Sequence, residues 1–216
     1  PMSTTTKNVL ILGAGGQIAR WAVDMLADQP EVQQTLFLRR SGRLGRAAPA
    51  NARIVEADVH DTTALRDAMT GQDIIYANLS GEVDVQAEAI VTAMKAVGAR
   101  KLIFVTSLGI YDEVPVAFGE WNRREIGDYL PPYRRAADII EASGLDYAVL
   151  RPAWLTDADE IAFETTTRDE PFKGTIVSRK SVAALAVDLI NHPERIASLN
   201  LGVNKPNSDG DVPDLG

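Results

Sequence analysis

One short segment, Gly13-Ala-Gly-Gly-Gln-Ile-Ala19, has the residue types and spacing to hold a pyrophosphate. Glycines let a backbone turn sharply and approach a phosphate closely. The free N–H groups of a helix starting at Gln17 would face the anion with a favourable dipole. Read as Gly-x-Gly-x-x-Gly the pattern fails at Ile18; read as Gly-x-x-Gly-x-x-Ala it holds through Gly13, Gly16 and Ala19. On this reading Gly13, Gly15, Gly16, Gln17 and Ile18 contact a dinucleotide. The plainer reading is a strand-to-helix turn that needs small residues only for its shape.

A second cluster bears on which dinucleotide. An acidic residue about 20 positions past such a loop would hold the ribose hydroxyls of NAD, whereas guanidinium forks suit the 2′-phosphate of NADP. Arg39 and Arg40 stand there, followed by Ser41 and Arg43, so NADP(H) is expected in preference to NAD(H). A solvated basic turn is the alternative. Asp58 could accept a hydrogen bond from an adenine amino group, or belong to a helix start near Asp61 and Thr62. His60 and His192 are too far apart to suggest a metal site, and no catalytic triad is evident.

The elements that must position these residues alternate regularly. Asn8–Leu12, Gln34–Leu38, Arg53–Glu56, Asp73–Tyr76, Lys101–Val105 and Asp146–Leu150 read as strands, with a short strand near Leu199–Val203. Helical spacing marks Gln17–Asp28, Thr62–Met69, Val83–Val97, Pro132–Ala142 and Ser181–Asn191. The alternation predicts an α/β fold, a Rossmann-type doubly wound parallel sheet, with a small C-terminal elaboration covering the substrate. Thr106–Pro131, holding Tyr111, Trp121, Asn122 and Tyr129, reads as a long loop, and Leu155–Ile176 as a second irregular stretch. Both follow strand C-termini, where open α/β sheets bind ligands.

Composition sets bounds. The 216 residues suffice for one domain: residues 8–204 are read as a dinucleotide-binding domain, 1–7 as a disordered extension and 205–216 as a loose tail. Pro1 ahead of Met2 reads as a cloning remnant. A net charge of −8 argues against a nucleic-acid-binding surface. The absence of cysteine excludes disulfides and thiolate sites. No apolar run is long enough to span a membrane and the start lacks signal-peptide features, so the expected location is the cytoplasm.

Alongside the glycine loop and Asp58 stand Phe104-Val-Thr-Ser107 and Ser143-Gly-Leu-Asp-Tyr147, with Leu150-Arg-Pro-Ala-Trp-Leu155 beyond. With these residues the chain resembles the atypical short-chain dehydrogenase/reductases, in the NAD(P)H-binding, NmrA-like branch. That branch includes flavin, biliverdin and quinone reductases and proteins that only sense the dinucleotide. The likeness runs from about Asn8 to Val203. It implies that Gly13, Gly16, Gln17 and Ile18 follow the pyrophosphate and that Arg39 and Arg40 meet the ribose. Asp58 would lie at adenine, with Asn78 and Thr106-Ser107 beside the nicotinamide.

One departure matters. Dehydrogenases of this kind use a Ser and a Tyr-x-x-x-Lys pair, in which Lys lowers the Tyr pKa. Ser107 and Tyr133 are the catalytic candidates, but Ala137 stands where Lys is required. Tyr111, Trp121 and Trp154 are the substrate-binding candidates, with Phe118 on the same loop. The leading expectation is hydride transfer from NADPH to a small flat acceptor such as a quinone or flavin, in a monomer or homodimer. A non-catalytic NADP(H) redox sensor and an NADP-dependent sugar or alcohol dehydrogenase or epimerase remain as alternatives.

Overall fold

Val9, Leu10, Ile11 and Leu12 are all fully buried. Successive strand residues point to opposite faces, so Val9 and Ile11 enter one core while Leu10 and Leu12 enter another. Only a strand covered on both sides reads this way. It is β1, Lys7–Leu12, in the computed structural model, which describes residues 5–215; the expected remnant at Pro1 lies outside them.

The chain continues through α1 (Gln17–Ala27), β2 (Val32–Leu38), β3 (Ala52–Glu56), α2 (Thr62–Met69), β4 (Ile74–Ala77), α3 (Val83–Val97) and β5 (Lys101–Val105). Then come α4 (Val116–Ile126), α5 (Leu130–Glu141), β6 (Asp146–Pro152), β7 (Trp154–Thr156), β8 (Glu164–Thr167), β9 (Ile176–Ser178), α6 (Arg179–Asn191) and β10 (Leu199–Asn204). The main sheet runs β3-β2-β1-β4-β5-β6-β10-β8, parallel except for β8. α1 and α6 cover one face and α2, α3 and α5 the other. From β1 the chain builds outward to β3, then returns to start β4 on the other side. That reversal opens a crevice at the C-terminal ends of β1 and β4. The architecture is the doubly wound Rossmann fold.

The structure corrects two stretches. Thr106–Pro131 is not loop throughout, because α4 lies inside it and α5 begins at Leu130 with prolines in its first turn. The signal for α4 was weak: its buried residues are Phe118, Gly119 and Asn122, only one of them a large hydrophobe. Leu155–Ile176 contains β8 and runs between the paired short strands β7 and β9. Past Asn204, the chain does not leave the body at once. The amide of Lys205 donates to Ile176 at 2.7 Å and the Thr175 hydroxyl to the Ser208 carbonyl at 2.6 Å.

Arg151, fully buried on β6, ties the post-β5 segment to the sheet. It is ion-paired to buried Glu113 and donates to Asn200 Oδ1 at 2.7 Å and to the Thr167 carbonyl at 3.2 Å. Removing one member of a buried pair strands the other's charge. Glu113→Ala is therefore expected to lower unfolding free energy by about 3–5 kcal/mol in urea titrations. The joint replacement Glu113→Leu with Arg151→Met should recover most of it.

Candidate dinucleotide and acceptor site

The crevice is built from backbone before any side chain enters it. Gly13, directly after β1, has φ +77°, a left-handed conformation that suits glycine. A Cβ there would collide with the carbonyl oxygen of Asn78, the residue just past β4. At Gly15 a Cβ would come within 2.8 Å of Arg43 Cβ. The Gly16 amide closes the turn onto the Gly13 carbonyl at 2.9 Å. Gly16 then caps α1 with no side-chain hydrogen bond, which leaves the first-turn N–H groups available to an anion. Ile18 is buried in the core and Gln17 is exposed, so Ile18 offers a ligand only its backbone.

A groove of about 610 Å³ runs from this turn along Leu38, Arg39 and Arg40 to Asp58 and His60, with Asn78 and Ser80 on its other wall. Arg39, Arg40 and Arg43 are exposed at its edge. Among the described residues, the side chains of Arg40 and Arg43 make no hydrogen bond or ion pair, and Arg39 feels only the nearby Asp58 charge. Glu56 shapes the turn that carries them. It accepts the Ser41 amide at 3.0 Å, and bonds from the Ser41 hydroxyl and amide hold its carboxyl below the usual range.

Asp58 is also held ionised. The His60 amide and then its ring donate to Asp58 Oδ1, both at 2.8 Å, and lower its pKa. The other carboxylate oxygen stays open to the groove. The helix start weighed for Asp58 belongs to Asp61, which accepts the Ala64 amide at 3.1 Å.

A second region lies past β5 and β6, two and three strands from β1. Thr106 is buried, and its hydroxyl and amide both bond the Leu150 carbonyl. Ser107 is half-buried, with its hydroxyl donating to the Leu108 carbonyl at 3.1 Å. On α4, Trp121 packs edge-on against Trp154 with ring centroids 4.9 Å apart, and Phe118 lies 6.1 Å from Trp121 on the other side. Both indoles are half-buried, forming a partly open aromatic wall.

Tyr111 does not belong to that wall. Arg168, Arg134 and Arg151 stand over its ring at 4.3, 4.9 and 5.3 Å, and its hydroxyl sits between Asn200 and Glu141. These contacts hold the half-buried ring among three arginines. Tyr133 is half-buried against the second core, and burial raises its phenol pKa. Ala137 is fully buried; Arg134 pairs with Asp138 and Arg135 with Asp84. Among the described residues no cation is held beside the phenol to lower its pKa.

The sequence model described as NAD(P)H-binding matches residues 13–193. The chain belongs to that NAD(P)H-binding family. Its fold and sequence are shared with a solved Rossmann-fold NAD(P)-binding protein from Shigella flexneri at 52% identity and TM-score 0.85, over 98% of this chain and 100% of that one. A short-chain dehydrogenase/reductase from Veillonella parvula, solved with NADP, is 24% identical with TM-score 0.87, over 96% of this chain and 99% of that one. An uncharacterised sugar epimerase, YhfK of Bacillus subtilis, is 28% identical over 81% of this chain and 78% of its own length.

In this family member the structure gathers Gly13, Gly15, Gly16, Arg39, Arg40, Asp58 and Asn78 around one groove. Thr106, Ser107, Trp121 and Trp154 lie beyond it, at the ends of β5 and β6. Arg43, noted beside Arg39 and Arg40, and His60, set aside as a metal ligand, also line the groove. The Asp58-x-His60 spacing, suited to a local side-chain-to-backbone turn, was the available signal for His60.

Gly13→Ala should cost about 2 kcal/mol or more in urea unfolding, since a left-handed non-glycine residue alone costs about 1–2. Gly42→Ala, with open space around it, should stay within about 0.5 kcal/mol of the parent. In an ultraviolet titration, the tyrosinate signal lost in Tyr133→Phe should arise only above the ordinary phenol value of 10.0.

Proposed function

We propose that this protein is an NADP(H)-dependent reductase that delivers hydride to a small flat acceptor such as a quinone or flavin. The observation that carries the reading is a pair of features past the C-terminal ends of the parallel strands. Exposed guanidiniums that make no hydrogen bond or ion pair among the described residues stand past β2, and a half-buried indole wall stands past β5 and β6. The residues fit the cofactor, because Gly13 and Gly15 leave no room for a Cβ where the backbone would meet the pyrophosphate, and the exposed arginine turn offers positive charge.

In this reading the α1 N–H groups and the backbone of Gly13–Gly16 bind the pyrophosphate. Arg39 and Arg40, with Arg43 beside them, pair with the 2′-phosphate, and Asp58 accepts from the adenine amino group. Asn78, Thr106 and Ser107 border the nicotinamide. The bound dinucleotide supplies a hydride, two electrons with one proton, and the acceptor takes its second proton from water. Trp121 and Trp154 offer the acceptor a stacking surface and exclude water from one side. The setting is cytoplasmic, as monomer or homodimer.

The epimerase name of the Bacillus relative favours alcohol or sugar chemistry as a second reading. That chemistry needs a proton taken from a hydroxyl, and burial that raises the Tyr133 pKa, with Ala137 in the lysine position, keeps the phenol protonated at neutral pH and unable to act as the base. A sensor would use the same groove without turnover.

Purified protein should oxidise NADPH with at least one member of a quinone and flavin panel. Tyr133→Phe should keep the rate within about threefold, whereas loss of a general acid typically costs about 10²–10⁴-fold. A hundredfold loss would favour the alcohol or sugar reading. Bound NADPH with no turnover across the panel would favour the sensor.

A further inference from the structure

Asn122 lies on α4 and is only 1% exposed, yet its amide is half used. The Trp154 indole N–H donates to its Oδ1 at 2.8 Å, which fixes which end of the amide is oxygen. Its Nδ2 makes no hydrogen bond among the described residues. That donor is not sealed from solvent, so a water or a ligand at this position can complete it.

The location gives this donor a purpose. Nδ2 lies over Gly109, where a Cβ would approach it to 2.7 Å, and Gly109 has φ +87°. Gly109 is two residues past Ser107, and Trp154 follows β6 by two residues. The ladder between these segments continues beyond the strands, with the Leu108 amide donating to Pro152 at 3.1 Å. Asn122 thus joins the turns after β5 and β6, beside the Trp121–Trp154 wall. Neither neighbour is a charged group, so the donor suits a neutral oxygen better than an anion.

We infer that Asn122 is the polar anchor of the acceptor site: Nδ2 donates to a ring carbonyl oxygen of an aromatic acceptor lying against Trp121 and Trp154. Trp154 has two tasks, offering its ring to the acceptor and holding the amide with its N–H. The acceptor class is narrowed to planar rings that carry a carbonyl, as quinones and flavins do. This rests on the flat-acceptor reading above.

The test is binding in the presence of NADP⁺, where no turnover occurs, read by quenching of tryptophan fluorescence. Menadione is compared with 2-methylnaphthalene, which has the same ring skeleton and no carbonyl. In the parent protein menadione should bind at least about tenfold more tightly, equal to about 1.4 kcal/mol and ordinary for one buried hydrogen bond. Asn122→Ala should remove most of that difference while leaving 2-methylnaphthalene and NADP⁺ affinities within about twofold.

Trp154→Phe, which keeps a ring and loses the N–H, should weaken menadione binding by a smaller factor. Asn122→Ser, a smaller change to the packing, should give the same selective loss if Asn122→Ala does not fold. Equal weakening of both ligands, or unchanged menadione binding, would overturn the assignment and leave Asn122 a packing residue. Parent protein that binds NADP⁺ but neither menadione nor FMN would overturn the flat-acceptor reading, and this assignment with it.

Discussion

The site depends on a close approach of two backbones. Where β1 ends, the chain passes so near the Asn78 carbonyl beyond β4 that position 13 has no room for a side chain. The left-handed turn at Gly13 sends the chain into α1 with its first N–H groups uncapped. The same approach closes the floor of the crevice at the point where strand order reverses. With a bulkier residue there, α1 would tilt away from β4 and the phosphate cradle would open. Every other feature of the site is arranged around that contact.

Electrostatics then sorts ligands. The chain carries −8 overall, a poor background for a polyanionic cofactor. A local reversal of sign is needed, and the turn after β2 provides one through Arg39, Arg40 and Arg43. Glu56 could have neutralised them, but its carboxylate is turned to Ser41 and braces the turn. Because these guanidiniums are exposed, their pull on a phosphate is screened by salt. Past β5 and β6 the lining changes from charge to aromatic surface, with two half-buried indoles and a buried amide. On the proposed reading the two halves divide the work: charge selects the cofactor, and aromatic surface selects the acceptor.

Local features were readable in the sequence. The β1 run, the glycine turn and the arginine pair each sit within a few residues, and the β-α alternation dictates that they meet at one crevice. Features made by distant residues were not. The setting of Tyr111 was hidden because nothing near it in sequence reveals Arg151, Arg168, Glu141 and Asn200 around it. α4 was hidden for a related reason, since it buries an asparagine whose partner, Trp154, lies 32 residues away. β7, β8 and β9 are only three or four residues each and take their pairing from partners elsewhere in the chain.

On the proposed reading the arginine turn makes the groove a site for a 2′-phosphorylated dinucleotide. Calorimetric titration of NADPH and NADH into the parent protein and into Arg39→Ala/Arg40→Ala, at one fixed salt concentration, tests it directly. The expected result is tighter binding of NADPH by at least about tenfold, about 1.4 kcal/mol, with that preference lost in the variant while NADH affinity barely changes. Equal affinity for both dinucleotides in the parent, or a preference that survives loss of both arginines, would contradict the account.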